Sequence, residues 1–295
     1  MIEKKRLYSS GFKDSITAYI FLLPVIVLVI WFMAIPIVQS FARSVYDQSG
    51  NFIGFDNFVL FMSEKRFLLN VRNTVIYVIA TVSLVIPTGL LAAHLITDES
   101  KFVTIIRPLY LIPWVIPYIC SSILFRSMFE GQGPVTQLIH FLTGKEVMFL
   151  INPKLALIVI IMHQFWRALP FATLFMAAGL TTIPNALYEA GTIDGAEKWK
   201  QFVHITFPIL RPHIFIITLM ATNGAMQDAE SIWTITSGGP GNATETIAVR
   251  LFKDSFKNYD LNSASVLGVV LLLIASVFIY LYSRAMKTME EDIYE

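Results

Sequence analysis

The chain of 295 residues is predicted to be an all-α membrane protein with six transmembrane helices. Its composition is 55% hydrophobic and only 15% charged, with a mean hydropathy of +0.64, whereas soluble domains carry about 25% charged residues. Uncharged runs long enough for a bilayer core, which needs about 20 helical residues, recur along it. They are continuous in Leu, Ile, Val and Phe, without the two-residue alternation of a barrel strand.

The expected spans cover residues 15–42, 73–97, 106–127, 155–181, 211–236 and 261–284 of one transmembrane domain, 1–295. The first is too long for the apolar part of a cleavable signal, and no small-residue cleavage site follows it, so it is expected to remain as an anchor. The second opens on Asn73-Thr74. The third contains Pro113 and Pro117. The fourth carries Arg167, and the fifth carries Asp228 and Glu230, yet both are otherwise apolar at helical length. Six spans place both termini on one side. Lys4, Lys5, Arg6 and Lys13 make that side cytoplasmic, although basic residues in the remaining loops are nearly balanced. External loops are then expected near residues 43–72, 126–153 and 237–260.

Between the fourth and fifth spans lies a polar segment, 183–212. Unpaired polar groups in hydrocarbon cost several kcal/mol each, so this segment belongs in water or against a soluble partner. Pro184 and Asn185 start a short helix, Asp194-Gly195 marks a turn, and Ala196 to Ile205 forms a second helix presenting Trp199, Phe202 and Val203. Pro208 and Pro212 are expected to break that helix before the fifth span.

Several function classes are excluded. A net charge of +1 argues against nucleic acid as a partner. The single Cys120 leaves neither a disulfide framework nor a multi-thiolate metal site. There is no H-E-x-x-H, no G-x-S-x-G and no phosphate loop, because the only Gly-Lys pair, Gly144-Lys145, has Ile139 where the first glycine belongs.

Polarity at membrane depth marks a solute site. Arg167 is expensive in hydrocarbon unless paired or wet, with His163 one turn before it and Gln164 adjacent. It either contacts the solute or pairs with Asp228 or Glu230. Asn223, Gln227 and Glu230 recur at helical spacing on the fifth span beside Asp228. Trp114 and Tyr118, one turn apart, offer a flat apolar face and directed hydrogen bonds to a sugar ring; as isolated residues they are more often interface anchors, but here they flank prolines that open the backbone toward a cavity. A pathway-facing Arg167 suits an anionic sugar, because a guanidinium pairs bidentately with such groups. The Gly238-Gly239-Pro240-Gly241 turn reads either as a docking or gating element or as a simple helix stop.

The residues Glu189, Ala190, Gly191, then Asp194-Gly195-Ala196, then Phe202, Ile205, Pro208 and Pro212 resemble the EAA loop of permease subunits in binding-protein-dependent ABC importers. Asn73-Thr74, Pro113, Pro117, Ile183-Pro184 and Thr236-Ser237-Gly238-Gly239-Pro240 are similar to the carbohydrate-uptake branch, including maltose and glycerol-phosphate permeases. The resemblance implies a type I permease fold in a bacterial or archaeal cytoplasmic (inner) membrane. It further implies a second homologous permease, two ATP-binding cassette ATPase subunits and an extracytoplasmic solute-binding protein as partners, with a sugar as solute. This chain would need no cofactor, ATP and Mg being held by the ATPase subunits. Glu189 and Asp194 would be the polar contacts of a coupling helix, and Ala190, Gly191, Gly195 and Ala196 would permit close approach. An ion-gradient-driven secondary transporter is the alternative, expected to carry its own inverted repeat and ion site.

Overall fold

The computed structural model describes the backbone of residues 6–97 and 108–294, and the side chains of residues 15, 17, 19–97 and 108–286. Lys4, Lys5, Lys101 and positions 106–107 of the expected third span lie outside the described residues. Among the described residues the structure is helical throughout, apart from loops and one isolated bridge between Tyr46 and Phe52.

Helix α1 (Arg6–Val29) passes through a π turn at Ile30–Ala34 into α2 (Ile35–Ser44). Residues Tyr19 to Met33 are exposed on all sides, an apolar surface suited to hydrocarbon or to another membrane protein. A short α3 (Asp56–Ser63) leads to α4 (Lys65–Ile96). The expected third span is two pieces, α5 (Ile112–Val115) and α6 (Tyr118–Phe129), separated by extended backbone at Ile116 and Pro117. Pro117 drives Ile116 out of the helical region, as proline does to the residue before it. After α7 (Pro134–Thr143) comes α8 (Pro153–Thr181), capped by Asn152, whose side chain accepts the Lys154 and Leu155 amides. Among the described residues, five helical stretches have the length and hydropathy to cross a bilayer: Tyr19–Ser44, Lys65–Ile96, Pro153–Thr181, Lys198–Gln227 and Leu261–Met286. The broken α5–α6 pair occupies the place of the sixth.

Two expectations about helix ends are corrected. Pro208 and Pro212 do not interrupt the chain before the fifth span. Helix α9 (Asn185–Ile193) turns into α10 (Lys198–Gln201), which runs through a π turn at Phe202–Thr206 directly into α11 (Phe207–Gln227). The wide turn moves the His204 carbonyl out of the way of the Pro208 ring, and Phe207 bonds instead to the Phe202 carbonyl. The first helix uses the same device: its π turn ends two residues before Pro36. Conversely, the fifth span is not continuous to 236. It stops at Gln227, Asp228 adopts ψ 90°, and α12 (Glu230–Thr236) begins a separate helix. Helix α13 (Ile247–Phe256) and the long α14 (Leu261–Tyr294) complete the chain.

The centre of the bundle is α4 against α8, with α11 closing over both. Small residues permit the approach: a Cβ on Gly89 would lie 3.3 Å from that of Ala172, and one on Gly179 would lie 2.8 Å from the His213 ring and from Leu210. Val85, Ala93, Ala172, Met176 and Ile217 pack around this contact, and Tyr77, Val159, Ile160 and Ile232 form a second cluster nearer the opposite end.

Candidate functional site

The break in the third span builds the site. With Ile116 extended, its carbonyl has no helical partner, and Arg167 of α8 fills that role, donating from Nη1 to Ile116 O at 2.5 Å and to Ser121 Oγ at 3.1 Å. The guanidinium carbon stands 3.7 Å above the Tyr118 ring centre. His163, fully buried, places Nε2 3.0 Å from Ser121 Oγ and lies edge-on to Phe125. Trp114 stacks on Phe171, ring centres 5.5 Å apart.

These groups face a cavity of about 170 Å³ lined by Trp114, Tyr118, Gln164 and Arg167, with apolar walls from α4, α8 and α11. Gly224 leaves α11 open beside Gln164, whose Oε1 is buried without a partner, as is Arg167 Nε. The structure therefore brings four of the expected solute residues together. His163 sits behind them as support. Asn223 and Gln227 hydrogen-bond to each other at 2.7 Å on an exposed face of α11, outside the cavity lining.

Of the two readings of Arg167, an ion pair with Asp228 or Glu230 is absent among the described residues. Asp228 accepts a 2.6 Å hydrogen bond from the Tyr77 hydroxyl, and both the amide and the hydroxyl of Ser231 bond to it. It fastens the α11–α12 break to α4. Glu230 is exposed at the start of α12. At Asp228 the helix unwinds, and its carboxylate is taken up by Tyr77 and Ser231.

At the other end of the bundle, Glu189, Ala190, Asp194 and Gly195 are exposed, while Gly191 and Ala196 are partly covered. Gly195 adopts φ +75°, a left-handed turn that lets the Ala196 amide reach the Gly191 carbonyl at 2.8 Å. Gln201 holds the hairpin closed, donating to Thr192 Oγ1 at 2.9 Å and to the Ala196 carbonyl at 3.1 Å. A Cβ on Gly191 would lie 3.2 Å from Ile205. Ile193 is 86% exposed, an apolar side chain standing out on this face.

One polar assembly was missed by sequence reasoning. Glu245, fully buried, is gripped by Arg66 through two 2.9 Å bonds and by Asn70 at 3.0 Å and Lys253 at 3.2 Å. Asn73 donates to the carbonyls of Asn242 and Glu245, and Thr74 Oγ1 accepts the Ile247 amide. Together they staple the segment after the Gly238–Gly241 turn onto the start of α4. Burial pushes the Glu245 carboxyl upward, but its bonds from Arg66, Asn70 and Lys253 outweigh this and hold it below the ordinary glutamate range. Asn73-Thr74 was the visible signal, an Asn-Thr pair opening an apolar helix.

No group of three or more His, Cys, Asp or Glu side chains forms a metal site among the described residues. The chain is 29% identical over 277 residues to the trehalose/maltose transport system permease protein of Thermococcus litoralis, covering 92% of this chain and 94% of that one. It is 32% identical over 270 residues to the sn-glycerol-3-phosphate transport system permease protein of Rhizobium meliloti, covering 89% and 92%. A bacterial alginate ABC transporter, solved in complex with an alginate pentasaccharide-bound periplasmic protein, superposes with TM-score 0.81 at 20% identity over 92% of this chain and 94% of that one, showing the shared fold. Residues 60–293 match the profile described as the binding-protein-dependent transport system inner membrane component, and on that match, with a helical membrane bundle that breaks at its polar sites, the chain belongs to this family of ABC importer permeases.

Proposed function

We propose that this chain forms half of the pathway for a sugar derivative bearing an anionic group, with Trp114, Tyr118, Gln164 and Arg167 contacting it. The observation that carries this is Arg167 itself. It is buried on the cavity wall, its Nε has no partner, and no carboxylate pairs with it among the described residues. A buried unpaired charge is costly, and a passing carboxylate, sulfonate or phosphate relieves that cost. The aromatic Trp114 and Tyr118 supply the flat apolar contact that a sugar ring takes. The relatives' names include both a phosphate-bearing solute and neutral sugars, so they leave the charge of the solute to the site.

As a permease of this family the chain is a transporter component, with hydrolysis on a separate subunit, which leaves no ground for an ion-gradient mechanism. In the proposed assembly a second homologous permease completes the pathway and an external binding protein delivers the solute. Two cytoplasmic ATPase subunits, holding ATP and Mg, receive α9 through Glu189, Ala190, Asp194 and Ile193. Both termini and residues 185–201 then lie on the cytoplasmic side.

Uptake and binding by Arg167→Gln and Arg167→Lys test the solute reading, using a uronate, a sugar phosphate and their neutral parents. A charge-assisted contact is worth about 1.5–3 kcal/mol, so Arg167→Gln should weaken the acidic solute at least roughly tenfold relative to the neutral one. Arg167→Lys should keep part of the preference. Unchanged uptake of every acidic sugar by Arg167→Gln removes the idea.

A further inference from the structure

The start of α6 carries two neighbouring serines of equal burial and different wiring. Ser121 and Ser122 are both fully buried, and each donates its hydroxyl proton to the Tyr118 carbonyl, at 2.9 and 2.7 Å. The Ser122 side chain makes no other hydrogen bond among the described residues. Ser121 makes two more, its oxygen lying 3.1 Å from Arg167 Nη1 and 3.0 Å from His163 Nε2. A guanidinium can only donate, so Ser121 accepts from it. With its single proton on Tyr118, the same oxygen accepts from His163 as well. That makes the ring the Nε2–H tautomer and leaves Nδ1 bare, which is the ring nitrogen without a partner.

We infer, resting on the solute reading proposed for this cavity, that Ser121 is a positioning residue that sets the preference for an acidic solute by holding Arg167 from behind. Ser121 is fully buried and does not line the cavity, and its oxygen is already saturated by the chain, so it acts through Arg167 and not on the solute. Both bonds that Arg167 makes to the chain fall on Nη1, to Ser121 and to the Ile116 carbonyl, while Tyr118 covers one face of the guanidinium. The fork is thus fixed at one tip, and Nη2 has no acceptor from the chain among the described residues. Of the three contacts, the Ile116 bond is to backbone and Tyr118 itself lines the cavity. Ser121 is therefore the one whose loss changes the aim of Arg167 without touching the cavity wall. Held by the Ile116 carbonyl alone, a long arginine side chain regains rotamer freedom, and a charged group is only as selective as the shell that orients it. A neutral sugar, resting on the rings of Trp114 and Tyr118, is less sensitive to that aim.

Solute binding to the full-length chain, purified with its accompanying subunits in nanodiscs, tests this with glucuronate, glucose 6-phosphate and glucose as probes. Ser121→Ala should lower the acidic-to-neutral affinity ratio roughly two- to tenfold, the worth of one hydrogen bond. Ser122→Ala, which loses the same bond to Tyr118, should leave the ratio unchanged, and Ser121→Thr, which keeps the oxygen, should preserve it. In an Arg167→Gln background Ser121→Ala should change the ratio no further. An equal fall for Ser121→Ala and Ser122→Ala would show that both serines only hold the turn, and would overturn the inference. So would an unchanged ratio in Ser121→Ala where Arg167→Gln lowers it. If Arg167→Gln itself keeps the ratio, the solute reading fails and the positioning role falls with it. Melting of the solute-free complex needs no probe sugar: the losses for Ser121→Ala and Arg167→Gln should be non-additive, those for Ser122→Ala and Arg167→Gln additive. Additivity in both pairs would overturn the inference. Ser121→Cys, near serine in size and a weak acceptor, gives the same readings if the alanine variant does not assemble.

Discussion

Glu245 and Arg167 are both buried charges, and they are handled in opposite ways. Glu245 is surrounded by Arg66, Asn70 and Lys253, so its ionised form is favoured in the folded chain. A carboxyl held below its ordinary range contributes stability that is fully present above the unfolded value of 4.5 and is lost as pH falls through the folded value. Thermal stability should therefore decline below about pH 4.5 in the native protein. Glu245→Gln should be less stable at neutral pH by roughly 1–3 kcal/mol, since it strips a charged acceptor from donors of which Arg66 remains partly wet. Its own acid slope should be shallower; equal slopes in a pH series of melting curves would deny Glu245 this role. Arg167, by contrast, has hydrogen-bond acceptors but no ion-paired carboxylate among the described residues. Arg167 stands out in the sequence because a charge inside an apolar run contrasts with its surroundings. Glu245 does not, because it sits in a segment already polar, where only the fold reveals that it is dry. The sequence left Arg167 either to the solute or to an ion pair with Asp228 or Glu230, and no proline or glycine stands at Asp228 to announce the unwinding there.

At the scale of elements, proline reads differently in a membrane bundle than in a soluble loop. Pro117 does break the third span, because Ile116 can go extended when a neighbouring arginine accepts responsibility for its carbonyl. Pro208 does not break the coupling segment, because a π turn absorbs the lost bond. The sequence pattern shows the prolines in both cases and cannot show which remedy the surrounding helices supply. Among the described residues, uncharged runs marked three of the five helices long and apolar enough to cross, and charge-interrupted runs marked the other two, since hydrocarbon demands length and apolarity whatever the packing; the expected third span is instead the broken α5–α6 pair. Close approach is another matter, visible only in three dimensions. At Gly179 an added methyl would meet His213 and Leu210 at 2.8 Å, so Gly179→Ala should lower stability by about 1–3 kcal/mol through overpacking. Gly195, with nothing within 4 Å, has room but a left-handed backbone. Thermal denaturation of the detergent-solubilised transporter compares the two: Gly179→Ala should respond to relief by His213→Ala, whereas Gly195→Ala should not.

Across the whole molecule, what joins the driven end to the solute is one uninterrupted helical path. From Lys198 the chain runs through the π turn and α11 to Asp228, with no flexible loop between the hairpin of α9 and α10 and the cavity wall at Gly224. A displacement of α9 is carried along that path as a rigid-body shift, provided α9 is fixed to the helices that follow; Gln201 ties it to α10, beside a second link from the Tyr188 hydroxyl to Thr206 Oγ1 in the π turn. Gln201→Leu keeps the volume but removes both donors. The exposed face formed by Glu189, Ala190 and Ile193 stays in place, so the proposed ATPase surface is preserved while the link behind it loosens. Coupling free energies of this kind are about 1–3 kcal/mol. Transport and binding-protein-stimulated ATP hydrolysis should accordingly fall roughly five- to tenfold or more, while basal hydrolysis and solute affinity at Arg167 remain close to those of the native protein. The separation of the two readouts is what matters: a parallel loss of solute affinity would locate the damage in α11 itself, and unchanged stimulation would mean that the hairpin is held to the spans by contacts other than Gln201.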